Sequence, residues 1–417
     1  MVFSLDDAKL RDRAYAEPWR LNPDGYWGGM NDATREFSAP LVAIQLDALT
    51  HNAHDLLRRA GGLPIRVASK SIRVREVLET VLQLPGYRGV LAYSLAEAVW
   101  LSATIDDVLV AYPTADRAAI AALAADERAA RRVTIMIDSV EQLDLIDSVV
   151  PAAGRQSIRV CLDFDSSWRH PLLGNVGVFR SPVHEPEELR SLAETVAARP
   201  GFTLVAVMSY EAQIAGVQNA PKGNPLMGTA MRVIQAKSAD ELRERRARAI
   251  GLVREIAGLE FVNGGGTGSV ERTVSEPAIT EVAAGSGLYG PHIFDHYQHF
   301  TPAPAVGYAL DVVRKATPET ATVFAGGWIA SGVAGPDRLP QPVWPRGLSF
   351  AGREGAGEVQ TPLLGANAAT LGVGDRVWMR HAKSGEVMEH VAQVALVSQD
   401  EKVGEVPTYR GEGKVFS

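Results

Sequence analysis

Residues 65–73 read IRVASKSIR, and they put a lysine between two segments of different periodicity. A short β-branched run ends at Ser69, and the segment VREVLETVL (74–82) follows with apolar residues at helical spacing. This order predicts a strand, a tight turn and a helix. Lys70 is therefore expected at the carboxyl end of a strand, either as a solvated loop lysine or as a residue on which chemistry depends.

The same alternation of a strand-like run and a helical run recurs between residues 41 and 269. The strand-like runs are LVAIQLD (41–47), IRVAS (65–69), GVLAYS (89–94), DVLVAYP (107–113), VTIMIDS (133–139), IRVCLDFD (158–165), FTLVAVMSY (202–210) and LEFVNGGGTGS (259–269). An alanine-rich helix is expected near 116–130. Eight units with nearly continuous apolar strands predict an α/β fold, a (β/α)8 TIM barrel rather than an open parallel sheet.

The pattern changes at about residue 305. Short strand-like runs such as ATVFAGGWI (321–329) and HVAQVALVS (390–398) lie between turns rich in glycine and proline. This pattern is typical of a mostly-β domain. We expect an N-terminal leader (1–38) that packs with the β domain, a barrel (39–300) and a C-terminal β domain (301–417).

Composition excludes several classes of partner. The net charge of −7 argues against a nucleic-acid-binding surface, and charged residues interrupt every apolar run that could span a membrane. The N-terminal residues show no secretory signal. Cys161 is the only cysteine, so no intrachain disulfide can form. We expect a cytoplasmic protein that acts on a small molecule.

Active sites of TIM barrels lie at the carboxyl ends of the strands, so the residues at these ends are the candidates for function. They are Lys70, Asp163, Asp165, Tyr210, Glu211 and Asn263, followed by the cluster GGGTG at 264–268. Asp163 and Asp165 point to the same face of their strand. They are either an acid–base pair or polar filling of the barrel mouth.

The glycine cluster suggests an anion site, because glycine lets backbone N–H groups approach a ligand closely. Barrels often bind phosphate after the last two strands, and AAGSG (283–287) supplies a second small-residue turn. With such a cradle, Lys70 suggests a Schiff base to a phosphorylated aldehyde, since a buried lysine becomes nucleophilic. The alternatives are ordinary tight turns, a lysine paired with a carboxylate, or a sugar-phosphate barrel.

Four segments in this order carry a family resemblance: RVASKS (66–71), GGGTG (264–268), TEVAAGSGLYGP (280–291) and GDRVWMRH (374–381). The chain resembles the fold type III pyridoxal-phosphate enzymes, which share an alanine racemase-like barrel. Within them it is similar to the branch of D-threonine aldolases and D-serine dehydratases, and to bacterial chains described as amino acid deaminase/aldolase. The resemblance implies pyridoxal 5′-phosphate as cofactor and a homodimer as the assembly.

The resemblance also implies roles for individual residues. Lys70 would bind the cofactor aldehyde, and Tyr210 would lie beside the cofactor. Arg180, with Arg169 as a rival, would face the pyridine nitrogen and keep it unprotonated. The remaining cofactor-binding candidates, mostly for the phosphate, are Asn263, Gly265, Gly266, Thr267, Gly285 and Ser286.

The metal site of the relatives is altered here. Those enzymes bind a divalent metal through a histidine and an Asp or Cys two residues later, whereas this chain has His381 and Lys383. A charged lysine cannot be a ligand. We expect no metal, with Lys383 as a fixed positive charge in its place. The alternatives are a site made by His381 and Glu386, or two rim residues of the β domain. The spacing of His292, His296 and His299 is a weaker metal signal.

The predicted activity is that of a lyase that cleaves or forms the Cα–Cβ bond of a β-hydroxy-α-amino acid, of D configuration. The products would be an aldehyde and a smaller amino acid. His381 is the first candidate for the base at the β-hydroxyl, followed by Lys383 and Tyr210. A dehydratase that eliminates the β-hydroxyl is the alternative. A racemase with Tyr308 or Tyr289 as second base comes third, and a pyridoxal-phosphate carrier is the alternative without catalysis.

Overall fold

The structure is a computed structural model that describes residues 3–6 and 8–416. The chain divides into two compact units. The sheet unit comprises the residues up to 55, 71–84 and 286–415, and the barrel unit comprises 56–70, 85–285 and Phe416.

The strands of the described chain lie between Leu41 and Pro407. The first group is β1 (Leu41–Gln45), β2 (Ile65–Ala68), β3 (Tyr87–Ala92), β4 (Val108–Val110), β5 (Val133–Ile137) and β6 (Ile158–Asp163). The second is β7 (Trp168–His170), β8 (Gly174–Val176), β9 (Phe202–Ser209), β10 (Phe261–Gly264) and β11 (Glu281–Ala284). The third is β12 (Val306–Thr317), β13 (Thr320–Phe324), β14 (Gln341–Trp344), β15 (Ser349–Phe350), β16 (Gln360–Leu364), β17 (Arg376–Arg380), β18 (Gln393–Ser398) and β19 (Glu401–Pro407).

Most helices follow a strand of the barrel. The first are α1 (Ala8–Tyr15), α2 (Pro18–Leu21), α3 (Pro23–Ala33), α4 (Leu46–Arg59), α5 (Arg75–Val81), α6 (Leu95–Leu101) and α7 (Arg117–Ala125). The others are α8 (Glu127–Arg132), α9 (Val140–Val149), α10 (Pro186–Ala198), α11 (Ala212–Ala215), α12 (Pro225–Arg254), α13 (Val270–Thr273) and α14 (Ser286–Tyr289). Short 3-10 helices include Ser69–Ser71, His292–His296 and Glu386–His390.

The barrel unit contains a closed parallel barrel in the order β10-β11-β2-β3-β4-β5-β6-β9. Its strands are short, apolar and almost fully buried, as expected when side chains fill the inside and helices cover the outside. The predicted α/β barrel is therefore confirmed. The hairpin of β7 and β8 is an insertion after β6.

The sheet unit contains a nine-stranded sheet, which confirms the mostly-β domain. Its main path is β15-β16-β13-β12-β1-β18-β19, and β17 joins β12 to β14. The leader contributes α1 to α3 to this unit. Trp27 packs 6.0 Å from Trp378, and Arg376 donates to the carbonyls of Thr34 and Phe37.

The prediction for the first barrel strand was wrong. Residues 41–45 form β1 inside the nine-stranded sheet, antiparallel to β12 and parallel to β18, and β11 is the barrel strand that we did not count. All five residues of β1 are buried, so its apolar pattern is that of any strand covered on both faces. With this correction Lys70 follows the first barrel strand, and the two glycine turns follow the seventh and eighth.

The alanine-rich helix expected near 116–130 is two helices, α7 and α8. Asp126 ends the first and caps the second, because its carboxylate accepts hydrogen bonds from the N–H groups of Arg128 and Ala129. Among the described helices none combines the length and the apolar character needed to cross a membrane.

Candidate active site

Alternation along the strands decides which residues line the mouth of the barrel. One buried apolar cluster has side chains from seven of the eight barrel strands, including Met136, Cys161, Met208 and Ala283, and Ala68 of β2 packs against it. The cluster therefore lies inside the barrel. Side chains two residues further along a strand point to the same side. Asp163, the last residue of β6, is in that next layer, and Lys70, Asp138, Tyr210 and Gly285 follow within two residues of the ends of their strands.

Lys70 lies in a group of aromatic and cationic side chains. Its Nζ donates to the hydroxyl of Tyr112 at 3.3 Å. We expected a buried lysine, but the side chain of Lys70 is exposed. The guanidinium carbon of Arg180 lies 5.7 Å from the ring centroid of Tyr112 and 5.7 Å from that of Tyr210. The structure thus brings three predicted residues, Lys70, Arg180 and Tyr210, together around Tyr112. The rival Arg169 is on β7, where it acts electrostatically on Glu188.

Tyr210 connects this group to the glycine turn. A methyl group built on Gly266 would lie 2.9 Å from Cβ of Ala215 and 3.0 Å from Cε2 of Tyr210, so the ring and the turn are in close contact. Burial raises the pKa of the Tyr210 hydroxyl to about 12, and the charge of Arg180 opposes this effect. The hydroxyl is therefore protonated at neutral pH and can donate a hydrogen bond.

Asp163 is a carboxyl group at the barrel mouth whose pKa is raised. Burial and the negative charges of Asp138 and Asp165 together raise its pKa to about 7, and the positive charge of Arg180 opposes them. Asp138 lies beside Asp163 because Ile137 pairs with Leu162, and burial raises the pKa of Asp138 as well. A carboxyl group with a pKa near 7 can hold or release a proton at neutral pH.

Asp163 and Asp165 are not a pair of equivalent acids. Asp165 is buried, accepts hydrogen bonds from the N–H and hydroxyl of Ser167, and lies 3.0 Å from Nδ1 of His184. These contacts give Asp165 a structural role in the loop after β6. The acidic neighbour of Asp163 is Asp138, from the adjacent strand.

The turn after β10 has the compact shape expected of a phosphate loop, but two of its N–H groups are used within the protein. Gly265 has a φ of +80°, which glycine adopts without strain. Its N–H donates to Glu211 at 3.1 Å, and the N–H of Gly266 donates to the hydroxyl of Ser269 at 3.2 Å. Thr267 is buried, and its carbonyl accepts from Arg59 at 2.5 Å. The turn therefore presents Thr267 from a fixed backbone, rather than the first two glycine N–H groups.

The second turn, after β11, requires glycine. A methyl group on Gly285 would lie 2.6 Å from the carbonyl oxygen of Ala68, so this turn touches the end of β2 just before Lys70. Ser286 begins α14 and belongs to the sheet unit. There its hydroxyl is 2.9 Å from that of Ser71, and its carbonyl accepts from Ser384.

Asn263 lies deeper in the barrel than predicted. Its amide donates to Glu281 at 2.9 Å, and Glu281 forms a bidentate ion pair with Arg66 at 2.6 and 3.0 Å. Arg66 also pairs with Asp107 at 2.7 and 3.0 Å and is fully buried. Asn263 is therefore part of a buried polar layer below the mouth.

His381 is buried in the sheet unit, and neither ring nitrogen has a hydrogen-bond partner among the described residues. Burial lowers its pKa to about 3, helped by the nearby charge of Arg380 and by His292. A histidine with this pKa is neutral at pH 7 and is a weak proton acceptor. The environment of His381 therefore disfavours the role of general base that the sequence suggested.

The low pKa of His381 predicts a dependence of stability on pH. The unfolded chain binds a proton at this histidine below about pH 6.5 and the folded chain only below about pH 3, so stability rises with pH across that window. Between pH 7.5 and 5 this one group should lower the free energy of unfolding by about 2 kcal/mol. Urea unfolding of the wild type and of His381→Gln at both pH values measures the difference, and an equal acid sensitivity of the two proteins would contradict the prediction.

Lys383 and Glu386 contact the same residue, Ser331, from different sides. The amine of Lys383 donates to the carbonyl of Ser331 at 2.7 Å, and the carboxylate of Glu386 accepts from its N–H at 3.1 Å. Within residues 3–6 and 8–416, no three His, Cys, Asp or Glu side chains converge as a metal site would require. Nε2 of His292 is 2.8 Å from the carbonyl of Leu339.

The two tyrosines considered as second base of a racemase are both buried in the sheet unit. The hydroxyl of Tyr289 donates to the carbonyl of Ile72 at 3.1 Å. The ring of Tyr308 stacks on Trp328 at 4.3 Å. These contacts are those of structural residues.

Sequence reasoning missed three residues that organise the site. Tyr112 is the last residue but one of the strand-like run DVLVAYP, two residues after β4, so its place near a strand end was a usable signal. Asp138 likewise follows β5 directly. Arg66 interrupts an apolar strand, and a charge inside such a strand signals a buried ion pair.

The mouth of the barrel fits the cofactor that the sequence implies. The exposed amine of Lys70 suits an aldehyde, the guanidinium of Arg180 suits a pyridine nitrogen, and two turns admit only glycine at Gly266 and Gly285 without displacement of neighbouring atoms. Such turns let a phosphate approach the backbone closely.

Comparison by sequence finds aldolases among the relatives of this chain. A 3-hydroxy-D-aspartate aldolase of Paracoccus denitrificans is 25% identical over 261 residues, which cover 62% of this chain and 61% of that protein. A D-threonine aldolase of an Arthrobacter species is 25% identical over 296 residues, or 70% of this chain and 69% of that protein. The first match thus spans about three fifths of the relative's length.

Solved structures show the same fold. A D-threonine aldolase from Filomicrobium marinum superposes with a TM-score of 0.74 at 20% identity, over 91% of this chain and 96% of that one. A D-threo-3-hydroxyaspartate dehydratase from Delftia sp. HT23 gives 0.66 at 18% identity, over 90% and 99% of the two chains. These similarities concern the fold of the chain.

The family model for the alanine racemase N-terminal domain matches residues 44–292, which is more than half of the chain. This match agrees with the closed barrel and with the relatives found by sequence. The chain belongs to the alanine racemase N-terminal domain family, as a member of the fold type III pyridoxal-phosphate group.

Proposed function

We propose that this protein is a pyridoxal-phosphate-dependent lyase that cleaves or forms the Cα–Cβ bond of a β-hydroxy-α-amino acid of D configuration. The observation that carries the proposal is the group at the barrel mouth, where Lys70 contacts Tyr112 and Arg180 lies near the rings of Tyr112 and Tyr210. The aldolases among the relatives favour this reaction class. The amino acid, the aldehyde and the division of roles below are parts of the proposal.

When bound, pyridoxal phosphate supplies an electron sink for the charge that develops at Cα. Lys70 would bind the cofactor through Nζ and, once released, hold a proton near Cα. Arg180 would keep the pyridine nitrogen unprotonated by presenting a cation to it. The turns that contain Thr267 and Gly285 would hold the phosphate, and Tyr210 would donate a hydrogen bond beside it.

We assign the role of the base that accepts the proton of the β-hydroxyl to Asp163 rather than to His381. The pKa of Asp163 is raised to about 7, whereas that of His381 is lowered to about 3. A base works best when its pKa lies near the working pH. The role of Lys383 as a cation in place of a metal stays a prediction.

This assignment predicts a specific pH profile. If ionised Asp163 accepts the proton, kcat/KM should rise with pH through about 7, and Asp163→Asn should remove this rise. Asp138→Asn should move the rise to lower pH, because the negative charge that raises the pKa of Asp163 is lost. Initial rates from pH 5.5 to 9 test both effects, and an unchanged profile in Asp138→Asn would rule out the assignment.

A dehydratase is the second candidate, because dehydratases of hydroxyaspartate are among the structural neighbours. The deciding experiment incubates the protein, loaded with pyridoxal phosphate, with D-threonine and with D-threo-3-hydroxyaspartate. An aldolase releases acetaldehyde or glyoxylate with glycine, whereas a dehydratase releases a 2-oxo acid and ammonia. Release that survives a chelator would support a reaction that needs no divalent metal.

Two other outcomes would change the proposal. Retention of the cofactor without turnover of any D- or L-β-hydroxy amino acid would favour a pyridoxal-phosphate carrier. Interconversion of D- and L-alanine would favour a racemase. We also propose a homodimer, which light scattering on the purified protein would test.

A further inference from the structure

Glu211 lies at the centre of a buried polar cluster next to the glycine turn. One carboxylate oxygen accepts from the N–H of Gly265 at 3.1 Å and from Arg246 at 3.0 Å. The other accepts from the hydroxyl of Ser269 at 2.9 Å and from that of Thr273. Glu211 therefore joins the end of β9 to the turn after β10 and to α12 and α13.

These bonds act on the turn that we assign to phosphate binding. Ser269, held by Glu211, accepts the N–H of Gly266 at 3.2 Å, so Glu211 reaches both glycines directly or through one hydroxyl. On its other side, the turn is held by Arg59, which donates to the carbonyl of Thr267 and pairs with Glu271 at 2.5 Å. The backbone from 265 to 267 is thus fixed at each residue.

The position of Glu211 in the chain adds a second connection. Its neighbour Tyr210 packs against Gly266 at the barrel mouth. Glu211 itself contacts Gly265 from inside the protein, so both residues contact the turn. A carboxylate near a bound phosphate would repel it. Arg246 compensates the charge of Glu211 from within the cluster, and both side chains are almost completely buried.

We propose that Glu211 is a positioning residue that shapes the turn 264–267 for the phosphate group of the cofactor. Glu211 acts through the backbone and through Ser269, and it does not touch the ligand. This inference rests on the proposed function, because it presumes a phosphorylated cofactor at the barrel mouth. It predicts that loss of Glu211 weakens recognition of the phosphate and leaves recognition of the rest of the cofactor intact.

Glu276 provides a matched control for this test. It is also buried and also pairs with Arg246, at 3.2 Å, but its carboxylate has no hydrogen bond to the glycine turn. Glu276→Gln and Glu211→Gln therefore remove the same charge from the same arginine. Only Glu211→Gln removes a carboxylate oxygen that accepts hydrogen bonds from the turn.

The experiment measures, by equilibrium dialysis, the Kd of the full-length wild type and variants for pyridoxal phosphate and for pyridoxal, which lacks the phosphate. For Glu211→Gln we expect a Kd for pyridoxal phosphate about 10-fold higher, as for loss of one charge-assisted hydrogen bond, and an unchanged Kd for pyridoxal. Ser269→Ala should behave in the same way, and it replaces Glu211→Gln if that variant does not fold. Glu276→Gln should bind both compounds like the wild type.

Three results would overturn the inference. The first is an equal loss of affinity for pyridoxal phosphate and for pyridoxal in Glu211→Gln. The second is a loss of affinity for pyridoxal phosphate in Glu276→Gln as large as that in Glu211→Gln. The third is unchanged binding in both Glu211→Gln and Ser269→Ala. A wild-type protein that prefers neither compound, or binds neither, would instead remove the cofactor from the proposed function, and the inference with it. The wild-type measurement therefore separates failure of the function from failure of the role of Glu211.

Discussion

Replacement of Lys70 by alanine should abolish covalent binding of pyridoxal phosphate and lower lyase activity by about 10³-fold or more, as when a residue of a catalytic group is removed. Lys70 is the lysine at the barrel mouth that contacts Tyr112, and no other residue in that group carries a primary amine. The side chain is exposed, so its loss should leave the fold intact.

Two measurements test this result directly. The visible absorbance of the cofactor bound to an amine should be present in the wild type and absent in Lys70→Ala. After borohydride reduction, peptide mapping should find the pyridoxyl group on the peptide that contains residue 70. Lys237→Ala is the matched control, because it removes an exposed lysine from α12 and should change neither signal.

A signal that persists in Lys70→Ala would move the cofactor to another lysine. Addition of methylamine gives a further check, since a small amine can take the place of the missing side chain. Partial recovery of activity in Lys70→Ala but not in the control would support the role of the Lys70 amine. Loss of folding, seen by circular dichroism, would show that Lys70 has a structural role instead.

Replacement of Arg66 by methionine should lower the free energy of unfolding by about 3–5 kcal/mol, the usual cost of breaking a buried ion pair. Arg66 is fully buried on β2 and pairs with Glu281 and Asp107, and its guanidinium carbon lies 4.6 Å from the centroid of the Phe261 ring. Without Arg66, the buried carboxylate of Glu281 would keep only the amide of Asn263.

A pair of similar geometry on the barrel surface provides the control. Arg159 forms a bidentate ion pair with Glu260 at 2.9 and 2.6 Å, but both side chains are partly exposed. Arg159→Met should therefore cost less than about 1 kcal/mol, because solvent screens the pair. Urea unfolding of both variants measures the two costs on one scale.

The double variant Arg66→Met/Glu281→Leu separates loss of an attraction from the cost of an uncompensated buried charge. We expect it to recover most of the stability lost in Arg66→Met, because apolar residues can replace a buried pair at little cost. Equal stability of Arg66→Met and Arg159→Met would contradict the importance of burial. A double variant as unstable as Arg66→Met would show that packing, not charge, explains the loss.

The sequence by itself determined the type of fold and the candidates for the functional site. Periodicity along the chain is a local property, so the β/α alternation and the change near residue 305 were readable without any contact. The same holds for a lysine after a strand and for glycines in a turn. These signals led to Lys70, Tyr210 and the turns at Gly266 and Gly285, which the structure gathers at one end of the barrel.

The tertiary structure decided which strands close the barrel and what surrounds each candidate. Residues 41–45 have the pattern of a barrel strand but pair with β12 and β18, and only hydrogen bonding between distant segments makes that choice. The pKa values of Asp163 and His381 depend on burial and on charges from other elements. Glu211 and Arg66 acquire their partners only when the barrel closes, because those partners lie 30 or more residues away in the chain.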